Sequence, residues 1–200
     1  MQFGDKKRPS HRKNTAVWCD LAGRSTFYPY EQFCTLADPD SVEYESMMET
    51  GVICSPTQYH MVNNDASKIA ALIKKYPLIP RDNFHLGDWC LVMTSMNPCP
   101  QGGIVYIDTM DEPDGIRPLA SSMLISSMRT CGPGTLLCLN LCHSRPYTGK
   151  LVSLKRFYQN LEPHMDKNWL HVEGSDGTTG FYPPKTNRTQ MLTIYFWRRP

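Results

Sequence analysis

Apolar positions along this chain gather into short runs, and stretches of helical period separate them. Thr15-Ala16-Val17-Trp18-Cys19-Asp20, Tyr59-His60-Met61-Val62-Asn63, Phe84-His85-Leu86-Gly87-Asp88, Ile104-Val105-Tyr106-Ile107-Asp108, Thr135 to Leu141 and Met191 to Trp197 are rich in β-branched and aromatic residues. Such runs predict buried strands. Between 67 and 76, Ile69, Ala70, Leu72, Ile73 and Tyr76 recur at helical spacing, and Pro77 and Pro80 close the segment. Further helices are predicted over about 40–50 (capped by Asp40 or Ser41 and ended by Gly51), 89–96, 118–130 and 151–161. Gly180-Phe181-Tyr182 begins one more strand after a polar loop at 173–180. Strand and helix alternating in this way predict an α/β fold, a mostly parallel sheet with helices on both faces. The late pair of strands predicts an antiparallel edge.

Four of the predicted strands end in or beside an acid: Asp20, Asp65, Asp88 and Asp108. Each acid alone is an ordinary turn or cap residue. Four along one sheet edge repel one another and make poor packing without a ligand. Ligands of open α/β sheets bind outside the carboxyl ends of the strands.

Composition narrows the classes. Hydrophobic residues make up 40% and charged residues 20% of 200 residues, a globular balance with room for one core. No apolar run approaches the roughly 20 residues of a membrane span, and the polar, basic start is no secretory signal. The expectation is a soluble, cytoplasmic protein without a membrane partner. None of the eight cysteines forms a CxxC pair, so structural thiols are expected and no metal. Residues 1–14 read as a flexible basic arm. Lys6, Lys7, Arg8, Arg12 and Lys13 are its candidates for contact with nucleic-acid phosphates.

With these residues in place, the chain resembles the class I S-adenosylmethionine-dependent methyltransferases. DLAG at 20–23 stands where that family has its acidic, glycine-rich first motif, and VNND at 62–65 stands at the acid that holds the ribose hydroxyls. HLGDW at 85–89 resembles the segment whose acid takes the adenine amino group and whose next side chain flanks the ring. YID at 106–108 sits at the motif lining the methyl-transfer site, and Met191–Trp197 matches the reversed last strand. The resemblance implies a Rossmann-like three-layer sandwich, mostly parallel with an antiparallel last strand, over one domain at 15–200. It also implies S-adenosylmethionine as cofactor. Asp20, Ala22, Gly23, Asp65, Asp88 and Trp89 would bind it, and Asp108 and Asp111 would stand nearest the chemistry. The wide gap from Asp20 to Asp65 reads as an insert at about 26–55, holding Phe27, Tyr28, Tyr30 and Phe33 as candidate base-stacking residues.

Two departures keep a second reading open. The first motif has Gly23 alone, followed by Arg24 and Ser25. A catalytically degenerate Rossmann-like scaffold would tolerate that loss. The methyl acceptor is not legible; the basic arm with Arg198 and Arg199 favours a nucleic acid. A dinucleotide enzyme is disfavoured, because no GxGxxG follows the first predicted strand.

Overall fold

The computed structural model describes residues 31–40, 42–96, 102–109, 119–144, 154–171, 178–181 and 190–200. Among these, eight strands form one sheet: β1 (Phe33–Leu36), β2 (Tyr59–Asn63), β3 (Phe84–Leu86), β4 (Ile104–Asp108), β5 (Leu136–Ser144), β6 (Trp169–His171), β7 (Thr178–Phe181) and β8 (Gln190–Arg198). The spatial order is β3-β2-β1-β4-β5-β8-β6, and β7 also pairs with β8. The first five strands run parallel to one another, whereas β8 runs antiparallel to β5, β6 and β7.

The five described helices are α1 (Glu43–Thr50), α2 (Ala66–Lys75), α3 (Trp89–Ser95), α4 (Leu119–Thr130) and α5 (Leu154–Leu161). Alternation along the strands divides the core in two. Phe33, Tyr59, Met61, Ile104, Tyr106, Leu136, Cys138 and Tyr195 face α1 and α2 through Met47, Ile69, Leu72 and Tyr76. Cys34, Val62, Val105, Ile107, Leu137, Leu139, Ile194 and Phe196 face α3, α4 and α5 through Trp89, Met93, Leu124 and Phe157. Because both faces of the central strands are covered, those strands read as nearly continuous apolar runs.

The predicted three-layer, mostly parallel sandwich is thus the observed one, with three corrections to its layout. First, residues 33–50, assigned to an insert, supply a central strand and its helix: β1 lies between β2 and β4. Phe33 is fully buried and stacks on Tyr59 with ring centroids 4.9 Å apart, so it is core and no base-stacking platform. Second, the reversed strand β8 is interior, because β6 and β7 share its outer edge. Third, the N-cap of α1 is Val42, which makes no side-chain capping bond, rather than Asp40 or Ser41.

Candidate functional site at the carboxyl edge

From β1 the chain builds outward in both directions, to β2 and β3 on one side and to β4 and β5 on the other. The crevice at such a reversal, beyond the carboxyl ends of the strands, is where an open α/β sheet binds ligands. Here it lies between the turn after β1 and the end of β4. The turn after β1 is Ala37-Asp38-Pro39-Asp40. It is tied to β2 twice: the Ala37 N–H donates to the Val62 carbonyl at 3.0 Å, and Asn63 Nδ2 donates to the Ala37 carbonyl at 2.7 Å. Lys68 Nζ on α2 reaches Asp38 Oδ2 at 2.5 Å, and that carboxylate raises the lysine's pKa. Both partners are nearly half exposed, so this pair contributes little stability.

Asp65 and Asp88 occupy equivalent places, just before α2 and α3. Asp65 Oδ1 accepts from the Ser67 N–H at 2.8 Å and the Ser67 hydroxyl at 2.7 Å. Its own N–H donates to Asn63 Oδ1 at 2.8 Å. The Ser67 hydrogen bonds, with the Lys68 N–H behind them, hold the Asp65 carboxyl below the usual range. Asp88 Oδ1 accepts from the Cys90 N–H at 2.9 Å and the Leu91 N–H at 3.4 Å. Both carboxylates are exposed N-caps. Their position at the sheet edge and their capping role coexist, since each cap uses one oxygen of two.

Trp89 requires a correction. It is 1% exposed and lies in the core against α4, where its indole N–H donates to Ser127 Oγ at 3.0 Å. A side chain so placed cannot flank a ring at the sheet edge. Arg198 is also engaged elsewhere. At the opposite edge, it donates to the Cys131 carbonyl, approaches Asp166 at 3.4 Å and lies 5.6 Å from the centre of the Trp169 ring. Asp20, Ala22, Gly23, Asp111 and the basic arm fall outside the described residues.

Asp108 ends β4 and is half-buried. Asn140 Nδ2 on β5 donates to its Oδ1 at 2.8 Å, and Thr193 Oγ1 on β8 donates to Asn140 Oδ1 at 3.1 Å. The three residues are register partners on adjacent strands. They lie one step beyond Tyr106, Cys138 and Tyr195 on the same face. The sequence reading did not single out Asn140 or Thr193, nor Asp38. The available signal was a polar residue inside an otherwise apolar run, LLCLNL and MLTIYFW, and for Asp38 an acid just after the short run FCTLA.

Two further acids of the 38–49 stretch, Glu43 and Glu45, lie beside tyrosines of the core. Glu43 is buried, and its charge adds to the burial that pushes Tyr59 and Tyr106 well up. Glu45 accepts from the Tyr76 hydroxyl at 3.0 Å. Among the described residues, no group of three or more His, Cys, Asp or Glu is gathered to hold a metal ion, and no helix is long and apolar enough to cross a membrane.

The sequence matches no protein-family model and no curated protein. Solved structures do match. The chain is similar to the glycopeptide N-methyltransferase MtfA complexed with sinefungin, with a TM-score of 0.58 and 14% identity over 93% of this chain and 87% of that one. MtfA has also been solved with S-adenosylhomocysteine and with S-adenosylmethionine. A TehB-like S-adenosylmethionine-dependent methyltransferase from Corynebacterium glutamicum matches at a TM-score of 0.52 and 10% identity, over 94% and 98% of the two chains. TrmN from Thermus thermophilus matches at 0.55 and 9%, over 96% of this chain and 53% of that one. The fold is therefore the Rossmann-like fold of S-adenosylmethionine-dependent methyltransferases.

Proposed function

We propose that this protein is an S-adenosylmethionine-dependent methyltransferase that holds its cofactor over the carboxyl edge between β1 and β4. The observation that carries this reading is the row of acids at that edge, Asp38, Asp65, Asp88 and Asp108, each just past or at the end of a successive strand around the switch point. The donor set fits the group. Ribose hydroxyls, the adenine amine and an ammonium are hydrogen-bond donors and the sulfonium is a cation, whereas these side chains are acceptors and anions.

In this reading Asp65 accepts from the ribose hydroxyls and Asp88 from the adenine amine. The turn 37–40 takes the first-motif role that the resemblance gave to Asp20, Ala22 and Gly23, because this is the turn that leaves the central strand. Bound cofactor supplies a methyl group already activated on sulfur, so the chain's task is alignment. Asp108 orients the acceptor, with Asp111 three positions further along the sequence as the second candidate. A nucleic-acid acceptor is favoured by Lys6, Lys7, Arg8, Arg12 and Lys13, which would neutralise phosphates.

The second reading is a degenerate scaffold. It is favoured by the absence of glycine from the turn 37–40 and by the Lys68 ammonium on Asp38. Calorimetric titration with S-adenosylmethionine and S-adenosylhomocysteine separates the two. Asp65→Ala and Asp88→Ala should each weaken binding roughly ten- to a hundredfold, the effect of losing a hydrogen bond to a charged group. Each should also lower the thermal midpoint, because an N-cap is lost. No binding by the wild type at millimolar ligand favours the scaffold. Binding that both alanines leave intact refutes the site assignment.

A further inference from the structure

We propose that Asn140 and Thr193 are positioning residues that set the Asp108 carboxylate to accept a hydrogen bond from the methyl acceptor, which is then an amine or a hydroxyl; this rests on the methyltransferase reading above. Asn140 is 8% exposed and Thr193 is fully buried. Polar side chains inside a sheet cost stability unless they are paired. The array pairs them in one direction, from the Thr193 hydroxyl to Asn140 Oδ1 and from Asn140 Nδ2 to Asp108 Oδ1, across three adjacent strands.

The direction is dictated by charge. A flipped Asn140 would place its carbonyl oxygen against an ionised carboxylate, two acceptors with no hydrogen between them. The Thr193 hydroxyl, donating to that carbonyl, opposes the flip. An amide so locked fixes the rotamer of Asp108 at the end of β4, beside the switch point. A carboxylate has about four acceptor sites, and the Asn140 amide takes one of them. An anionic acceptor group at this edge selects a partner bearing N–H or O–H and disfavours a thiolate or carboxylate nucleophile.

The test is a double-mutant cycle on the full chain, reading transfer of labelled methyl from S-adenosylmethionine to mixed RNA, to amine-bearing peptides and to a small thiol. Thr193→Val is expected to lower kcat about tenfold, the worth of one buried hydrogen bond, with KM for S-adenosylmethionine within about twofold. Thr193→Ser, which keeps the hydroxyl, should restore the rate. In an Asp108→Asn background, Thr193→Val should cost nothing further, because residues acting through one another are non-additive. Side-chain amide NMR gives a second readout: the Asn140 amide resonance should move in both single variants.

Equal loses in both backgrounds, an Asn140 resonance unmoved by either substitution, or a product methylated only on sulfur would overturn the positioning role. A wild type that binds neither S-adenosylmethionine nor S-adenosylhomocysteine overturns the methyltransferase reading itself and this role with it. Binding and turnover that Thr193→Val leaves unchanged overturn the positioning role alone.

Discussion

Trp89 and His60 each illustrate how little a residue's neighbours in sequence say about its surroundings in space. Trp89 follows an edge acid, but the first turn of α3 aims it inward at Ser127. Trp89→Phe keeps most of the buried ring and removes the indole donor. It should cost about 1–2 kcal/mol in urea unfolding and leave S-adenosylmethionine affinity within about twofold. A ring-flanking tryptophan would show the reverse. His60 Nδ1 lies 3.2 Å from His85 Nε2, with the rings inclined by 15° and their centroids 5.5 Å apart. One N–H is therefore shared nearly in line between them. The pair lines a cavity of about 320 Å³ with Gln32, Asn83 and Met96, at the edge opposite the acids. Burial first, and His85 second, lower the His60 pKa from 6.5 to about 4. A folded pKa below the unfolded one means that the folded state binds fewer protons. The stability concerned is complete above pH 6.5 and is lost as pH falls from there toward 4. Urea midpoints measured across that window should decline in the wild type and decline less in His60→Gln.

Elements were more legible where their ends carried chemical markers. The αL residue that ends α1 is Gly51, with φ 70°, as its sequence position predicts. A Cβ added there meets no atom within 4 Å, so Gly51→Ala tests backbone conformation alone. It should lower stability by about 1 kcal/mol, read from the shift in thermal midpoint. The predicted helices at 67–76 and 118–130 appear as α2 and α4 with bounds displaced by a residue. β1 and β6, of four and three residues, were not anticipated; strands so short display no period, and the equally short β3 was legible only through the acid and glycine that end it, Gly87-Asp88. Asp38, the acid following β1, was correspondingly not singled out, and Asp40 two residues on was read as a helix cap, although the turn after a central strand is the most consequential position on the edge.

For the whole molecule, the periodicity of apolar runs was sufficient to determine the class of fold. Strands buried on both faces and helices buried on one impose those patterns locally, through solvent exclusion, wherever they fall in the chain. The acids Asp65, Asp88 and Asp108 were legible for the same reason, as polar residues at the ends of apolar runs. Strand order, by contrast, leaves no local mark. Only the tertiary structure decided that residues 33–36 are the central strand, that β8 is interior, and that Trp89 and Arg198 are engaged away from the edge. Only it brought Asp108, Asn140 and Thr193 into one hydrogen-bonded row. Those three are separated by 32 and 53 positions along the chain, and they meet because pairing of β4 with β5 and of β5 with β8 sets their register. The sequence by itself determined what each segment could become; the pairing of distant strands determined which side chains share a site.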